Sequence, residues 1–242
     1  MSVIQSLSPF IDLKKTKESH PNLFTEILEK EYFEIGFKPS DVENQDVIDL
    51  GAHIGMFTML CSACKARSIL AIEANPDTFK TLLLNTSVLP SVSGVLNRAV
   101  FDGCKSKVFF SNTDTTSCVA TEGVEVQCLS LDQILSLYNE DVVMKMDIEG
   151  SEYYVLPAVS KQNLRKCKTI FLETHRRMTS DKEPHGRSSD FLKQLILSFG
   201  FKLEVERQVF SWNIDANGRA INHAPIPNTQ SFKFSRVQLS PS

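Results

Sequence analysis

The sequence has few of the features that mark membrane proteins or nucleic-acid-binding proteins. Among its 242 residues, no apolar run approaches the roughly 20 residues that a membrane-spanning helix needs. The formal net charge is -3, so the chain lacks the basic excess that favours a nucleic acid as partner. We also expect no secretory signal. The first residues include no basic segment, and Pro9 and Asp12 interrupt the apolar residues near the N-terminus. We therefore expect a cytoplasmic protein without a membrane span.

Cysteines are few and scattered, which argues against a disulfide framework. Of the six cysteines, Cys61 and Cys64 form a C-x-x-C pair, but no second pair with zinc-site spacing accompanies them. The two lie three positions apart in a predicted helix and therefore share a face. We predict reduced thiols in the core.

From residue 46 onward, strand-like apolar runs alternate with runs of helical periodicity. The predicted core strands are Asp46–Leu50, Ser68–Glu73, Val92–Val100, Val142–Asp147 and Lys168–Glu173. The predicted helices are Met56–Lys65, Asp77–Leu84, Leu131–Tyr138, Glu152–Val159 and Asp190–Phe199, and later strands are expected near Phe201–Val205, Val209–Asn213 and Phe232–Gln238. This order predicts an α/β fold with a parallel sheet covered by helices on both faces. Residues 1–45 are predicted to form an N-terminal helical extension, and residues 46–242 one domain.

A glycine turn follows the first predicted strand. Asp49, Gly51, His53 and Gly55 lie in a segment that passes from strand to helix. Such a turn lets backbone N–H groups approach a ligand without an intervening Cβ. Glu73 ends the next strand about 20 residues later, where a carboxylate is well placed to accept both hydroxyls of a ribose.

The residues around this turn favour one cofactor over another. The turn lacks the third glycine that a dinucleotide pyrophosphate prefers. Asp49 immediately before it would repel a phosphate but suits a cationic amino group. S-adenosyl-L-methionine has an amine, a ribose and an adenine but no phosphate, so it is the better fit. A nicotinamide oxidoreductase is correspondingly disfavoured.

Further motifs give the sequence a family resemblance. Together with the glycine turn and Glu73-Ala74-Asn75-Pro76, they are Leu129-Ser130-Leu131-Asp132, Lys145-Met146-Asp147-Ile148-Glu149-Gly150-Ser151-Glu152 and Glu173-Thr174-His175. This series, between about residues 46 and 175, resembles the FkbM family of S-adenosylmethionine-dependent methyltransferases. Ala74 replaces a common proline, and His53 stands where asparagine is frequent.

The resemblance implies a Rossmann-like class I methyltransferase with a mostly parallel seven-stranded sheet. It implies that Asp49, Gly51 and Gly55 bind the methionine part of the cofactor and that Glu73 binds the ribose. His53, in the same turn, is also expected to bind the cofactor. Asp102 is expected near the adenine. The implied activity is O-methylation of a hydroxyl on a small molecule or glycan.

Asp147, Glu173 and His175 are the predicted catalytic residues, and two mechanisms remain open for them. In one, Asp147 or His175 is the general base that deprotonates the acceptor hydroxyl. In the other, Asp147 and Glu173, with or without His175, hold a divalent metal ion that lowers the pKa of that hydroxyl; this is the less favoured alternative, and no metal is expected. Glu149 and Glu152 each have two interpretations. They belong to the site, or they are structural, with Glu149 at the Gly150 turn and Glu152 at the N-terminus of the following helix.

The sequence disfavours two further functions. Methylation of an RNA ribose or cap is disfavoured by the missing basic excess. A non-catalytic cofactor-binding protein is disfavoured because Asp49, Glu73, Asp147 and His175 are all present.

Overall fold

The computed structural model describes residues 34–101, 107–110, 119–120, 123–175, 188–211 and 226–237, and the following statements concern these residues. The strands are β1 (Asp46–Leu50), β2 (Ser68–Glu73), β3 (Val92–Asn97), β4 (Ala99–Val100), β5 (Lys107–Phe110), β6 (Val119–Ala120), β7 (Val124–Leu129), β8 (Val142–Met146), β9 (Cys167–His175), β10 (Phe201–Ser211) and β11 (Ile226–Arg236). The helices are α1 (Pro39–Val42), α2 (Met56–Ala63), α3 (Pro76–Thr86), α4 (Leu131–Ser136), α5 (Glu152–Ala158), α6 (Lys161–Leu164) and α7 (Ser189–Ser198).

Seven strands form one sheet in the order β10-β11-β9-β8-β1-β2-β3. The five strands from β9 to β3 pair in parallel, whereas β11 runs antiparallel to both β9 and β10. The carboxyl ends of β1, β2, β8 and β9 therefore meet at one edge of the sheet, where ligands of such folds bind. The predicted Rossmann-like, mostly parallel, seven-stranded sheet is confirmed.

The central strands are apolar along their whole length because helices cover both faces of the sheet. Every residue of β8 is buried. Its even-numbered residues pack with helices α4, α5 and α7, and Val143 packs with α2 on the opposite face. Cys61 lies within α2 and Cys64 directly follows it. Both cysteines are free and buried, which confirms their predicted place in the core.

The stretch predicted as one strand from Val92 to Val100 is two strands. The chain leaves the main sheet after Asn97, and β4 pairs in parallel with β7 of a second, four-stranded sheet. Burial alternates poorly along β3, so the apolar pattern gave no sign of the break at Arg98.

The end of the domain also differs from the prediction. The separate strands predicted at Phe201–Val205 and Val209–Asn213 are one long strand, β10, with irregular register at Leu203/Val205 and Val209/Phe210. The last strand begins earlier than predicted, at Ile226. Irregular register explains the error, because a bulge shifts the inside-outside alternation by one residue.

The structure describes the chain only from residue 34, so most of the helical extension predicted over residues 1–45 lies outside the described residues. Its visible end is fixed to β11, where Nζ of Lys233 donates to the Gly36 carbonyl oxygen (2.7 Å) and to Asp41 (2.9 Å). None of the described helices has the length and apolar character to cross a membrane.

Candidate active site

Three residues of the turn between β1 and α2 have left-handed backbone conformations, with φ of 74° at Gly51, 50° at His53 and 94° at Gly55. A Cβ at Gly51 would overlap the carbonyl oxygen of Asp147 at the end of β8. A Cβ at Gly55 would lie 2.8 Å from Leu82 of α3. Both glycines are therefore required by backbone geometry and packing as well as by the approach of any ligand.

Glu73 connects the end of β2 to this turn. Its Oε2 accepts a hydrogen bond from the backbone N–H of His53 (2.8 Å), and its Oε1 accepts one from the N–H of Asn75 (2.8 Å). Burial raises the pKa of Glu73, although the two amide hydrogen bonds oppose that shift. Each carboxylate oxygen keeps a second lone pair that can accept from another donor.

Asp49 and Lys145 are aligned on β1 and β8, and both side chains are buried. Nζ of Lys145 lies 3.6 Å from Oδ1 of Asp49 and 3.2 Å from Oδ2 of Asp147. It also donates to the Gly51 carbonyl oxygen (2.7 Å), while Thr58 donates to Oδ2 of Asp49 (2.7 Å). Lys145 thus joins the glycine turn to the end of β8.

The shifted pKa of Asp49 reflects that buried position. Burial raises the pKa, and the Lys145 ammonium and the Thr58 hydroxyl reduce the rise. Sequence reasoning quoted Lys145 in a motif but gave it no role. Its partners come from β1 and the glycine turn, and only the strand order brings them beside it.

Four carboxylates surround the imidazole of His175, and we call this group the carboxylate–histidine cluster (Asp147, Glu149, Glu152, Glu173 and His175). Nε2 of His175 lies 3.7 Å from Oδ1 of Asp147, 3.6 Å from Oε2 of Glu149 and 3.5 Å from Oε1 of Glu173. The other ring nitrogen, Nδ1, lies 3.6 Å from Oε1 of Glu152. The structure therefore brings together the three predicted catalytic residues and adds Glu149 and Glu152.

The local sequence between β8 and α5 shapes the cluster. Glu149 has a left-handed backbone conformation (φ 53°) and precedes Gly150 (φ 90°), so the chain turns sharply there. Glu152 is the first residue of α5, is fully buried, and accepts a hydrogen bond from the N–H of Ile148 (2.8 Å). Glu152 thus serves the structural role considered from sequence and also faces His175.

The charges of the cluster shift its pKa values. Burial alone would lower the pKa of His175, but the carboxylates of Glu152 and Glu173 raise it well above its ordinary value. Burial raises the pKa of Glu149 to about 7, against the opposing effect of His175. Burial would also raise the pKa of Asp147, but Lys145 and His175 lower it overall. A positive charge inside the cluster is therefore strongly favoured.

Ser231 is a further polar residue next to the cluster. It is aligned with Glu173 on the neighbouring strand β11 and is buried. Its hydroxyl oxygen has no hydrogen-bond partner within the part of the chain that the structure describes. A lone serine in a strand carries no sequence signal, so sequence reasoning missed it.

The Ser130-Leu131-Asp132 motif has a structural role. Ser130 and Gln133 form reciprocal hydrogen bonds at the N-terminus of α4. The Asp132 carboxylate accepts from the N–H and hydroxyl of Ser160 and from the side chain of Asn163, and so links α4 to α6. The predicted adenine contact, Asp102, lies outside the described residues.

Comparison with known families gives this arrangement a context. The family model described as the methyltransferase FkbM domain matches residues 49–203, which include the glycine turn, Glu73 and the whole cluster. The chain belongs to the FkbM methyltransferase family. The resemblance predicted from the sequence motifs is thereby confirmed.

One relative and several solved structures resemble the chain to different extents. The chain is 29% identical over 142 residues to the hexuronic acid methyltransferase AglP of Haloferax volcanii, an alignment that covers 56% of this chain and 58% of that relative. Aeropyrum pernix fibrillarin, solved with S-adenosyl-L-methionine, aligns with a TM-score of 0.48 at 12% identity. The alignment covers 84% of this chain and 71% of the fibrillarin chain. The Thermoplasma acidophilum protein 1320 aligns with a TM-score of 0.46 at 14% identity, over 99% of this chain and 100% of that protein.

Proposed function

We propose that this FkbM-family chain is a methyltransferase that uses S-adenosyl-L-methionine to methylate a hydroxyl group of a small molecule or glycan. One observation carries the proposal: the glycine turn and the carboxylate–histidine cluster form one continuous site. Lys145 contacts both the Gly51 carbonyl oxygen (2.7 Å) and the Asp147 carboxylate (3.2 Å). A cofactor on the turn and an acceptor at the cluster would therefore be neighbours.

The residues around the turn fit the parts of the cofactor. Glu73 retains lone pairs for the two ribose hydroxyls. The N-terminus of α2 has no side-chain cap at Gly55, which leaves backbone N–H groups for the carboxylate of the methionine part. Gly51 and His53 belong to the same turn and would also line the cofactor. Asp49 stabilises the turn through its contacts with Thr58 and Lys145.

A pocket of about 150 Å³ provides a candidate position for the adenine. Its lining includes Phe101, Leu131 and Val155. Phe101 also packs in the same apolar cluster as Ala74, which directly follows Glu73. A pocket that combines these apolar side chains with Ser130 and Asp132 suits a purine ring, and Asp102, the residue after Phe101, remains the predicted polar contact.

Bound S-adenosyl-L-methionine supplies a methyl group that its sulfonium already activates. The task of the chain is therefore to align the acceptor, exclude water and accept the proton of the acceptor hydroxyl. The carboxylate–histidine cluster offers several proton acceptors at the carboxyl ends of β8 and β9. The carboxylates of Glu152 and Glu173 raise the pKa of His175 well above its ordinary value against the effect of burial, which disfavours His175 as the general base and leaves the carboxylates as the better bases.

The AglP relative supports a sugar acid as acceptor class. The chain spans only 58% of the length of that relative, so the substrate is part of the proposal. A hexuronic acid carries several hydroxyls on a rigid ring and is the first acceptor to test.

Cofactor binding is tested by isothermal titration of the full chain with S-adenosylhomocysteine. We expect one site per chain, at least tenfold weaker affinity for Glu73→Ala, and unchanged affinity for Glu140→Gln, which alters an exposed carboxylate. If the intact protein does not bind, the methyltransferase proposal fails.

The acceptor is tested with methyl-labelled cofactor and hexuronic acids, with the matching neutral hexoses as controls. A labelled product that survives mild alkali is expected, because a methyl ether is stable where a methyl ester hydrolyses. An alkali-labile product would place the methyl group on the carboxylate and overturn hydroxyl methylation.

A further inference from the structure

The two ring nitrogens of His175 have different surroundings. Nε2 faces carboxylate oxygens of Asp147 and Glu149 at 3.7 and 3.6 Å. One donor atom from each of Asp147, Glu149 and His175 lies within 4.8 Å of both others. Ligands about 2.1 Å from a tetrahedral ion are about 3.4 Å apart, and those on opposite sides of an octahedral ion about 4.2 Å apart. The three donors are thus spaced to share one ion.

Nδ1 faces a carboxylate of a different kind. Glu152 is fully buried, and its Oε1 lies 3.6 Å from Nδ1. Among the described residues, neither Nδ1 nor Oε2 of Glu152 has a hydrogen-bond partner. An imidazole that binds a metal through one nitrogen commonly donates its other N–H to a carboxylate, which fixes the tautomer and the ring orientation. Glu152 occupies that position.

The charge of the cluster also favours a bound cation. Four carboxylates lie within 3.7 Å of one imidazole, more negative charge than a single imidazolium balances. Lys145 approaches the other oxygen of Asp147, Oδ2, and so leaves Oδ1 facing the ring. Carboxylates grouped in this way, with Glu152 fully buried among them, are stabilised by a bound cation.

We propose that the chain binds a divalent metal ion through Asp147, Glu149 and Nε2 of His175, with Glu152 as the positioning residue behind the imidazole. This ligand set differs from the one considered from sequence, which was Asp147 and Glu173 with or without His175, because Glu149 takes the place of Glu173. Two carboxylates and one imidazole suit ions such as Mn²⁺, Fe²⁺ or Zn²⁺. Three protein ligands leave coordination positions open, as in catalytic sites.

The role of the ion rests on the proposed function, whereas its binding does not. An acceptor hydroxyl in an open position would have a lowered pKa. Its proton passes to the carboxylate of Glu173, which lies 3.5 Å from Nε2 and is not one of the three ligands. A weak base then suffices at neutral pH.

The test is titration of the chelator-treated full chain with Mn²⁺, followed by the electron paramagnetic resonance signal of the free ion. We expect one bound Mn²⁺ per chain. His175→Gln and Glu149→Gln should weaken binding at least tenfold, and Glu152→Gln about 10- to 100-fold. Glu140→Gln should bind like the wild type. The proposal is overturned if the wild type leaves the free-ion signal unchanged, or if Glu149→Gln binds as tightly as Glu140→Gln.

A second measurement guards against variants that fail to fold. The Glu149 side chain is 30% exposed, so Glu149→Gln should unfold in a normal cooperative transition without metal. Saturating Mn²⁺ should raise the Tm of the wild type and of Glu140→Gln but not that of Glu149→Gln. An equal rise in all three would overturn the site.

The same preparation separates this proposal from the proposed function. Titration with S-adenosylhomocysteine in the absence of Mn²⁺ reports the cofactor site alone. Binding of Mn²⁺ without binding of S-adenosylhomocysteine would support the metal site and contradict the methyltransferase proposal. A chain that binds S-adenosylhomocysteine but does not bind Mn²⁺ would support the methyltransferase proposal and contradict the metal site.

Discussion

The carboxylate of Glu73 is hydrogen-bonded to the backbone N–H of His53 at 2.8 Å. This bond joins the end of β2 to the middle of the glycine turn, two places that the sequence separates by about 20 residues. The acidic residue therefore positions the turn before any ligand arrives. Its other oxygen accepts from Asn75 (2.8 Å), which also caps α3.

Glu73→Gln should destabilise the fold as well as weaken cofactor binding. Both carboxylate oxygens accept backbone N–H groups, and a glutamine has only one oxygen, so its NH₂ group would face one of those donors. We expect a loss of about 1–3 kcal/mol in the free energy of unfolding, measured by urea denaturation. Glu140→Gln, at an exposed position, should change it by less than about 0.5 kcal/mol. Equal stability of the two variants would contradict this account of Glu73.

Gly51→Ala should be among the most damaging small substitutions in the domain. The new methyl group would overlap the carbonyl oxygen of Asp147, and φ of 74° is itself unfavourable for alanine. We expect at least about 2–4 kcal/mol of destabilisation or a failure to fold.

Gly94→Ala is the matched control for this glycine. Its Cβ would approach only the side-chain Cδ1 of Leu70, at 3.0 Å. Alanine also suits a strand slightly better than glycine. The Tm measured by thermal unfolding should therefore fall much less for Gly94→Ala than for Gly51→Ala. A comparable loss of Tm at the two positions would show that overlap with the Asp147 carbonyl is not the reason why residue 51 must be glycine.

Lys145→Met should destabilise the protein by about 3–5 kcal/mol, because it leaves the fully buried carboxylate of Asp49 without its cation. Asp49→Asn removes that charge and keeps an oxygen that can accept from Thr58. The double variant Lys145→Met/Asp49→Asn should therefore be more stable than the sum of the single losses indicates. A double-mutant cycle from urea denaturation measures this coupling; strict additivity would rule out the Asp49–Lys145 interaction.

Asp132→Asn should lower stability by about 1–2 kcal/mol at neutral pH, because the carboxylate accepts hydrogen bonds from Ser160 and Asn163. Burial opposes the shift, but these hydrogen bonds lower the pKa of Asp132 overall. A lowered pKa means that the stabilisation is present above the ordinary carboxyl value of about 3.9 and is lost as the pH falls through the folded-state pKa.

The stability difference between wild type and Asp132→Asn should accordingly shrink below about pH 4. Urea denaturation at a series of pH values from 7 down to 3 measures it. A difference that stays constant over this range would show that the charge of Asp132 is not what stabilises the link between α4 and α6.

Elements set by neighbouring residues could be predicted from the sequence. β1, the glycine turn and α2 follow one another within the segment from Asp46 to Ala63, and hydrophobic periodicity defines each of them. Asn75 caps α3 and Pro76 begins it, as their order in the chain predicts. Where pairing in the sheet decides the structure, as at the break after Asn97 or along the irregular register of β10, local pattern was insufficient.

The site divides in the same way. The family, the glycine turn and the positions of Asp147, Glu173 and His175 at strand ends could be predicted from the sequence, because they are properties of residue order. The contact of Lys145 with Gly51, 94 positions away, follows only from the fold. The same holds for the two ring nitrogens of His175, of which Nδ1 faces Glu152 and Nε2 faces Asp147 and Glu149. Such contacts depend on the order of β1, β8 and β9 in the sheet and on the left-handed turn at Glu149. No local sequence pattern encodes the distances between these residues.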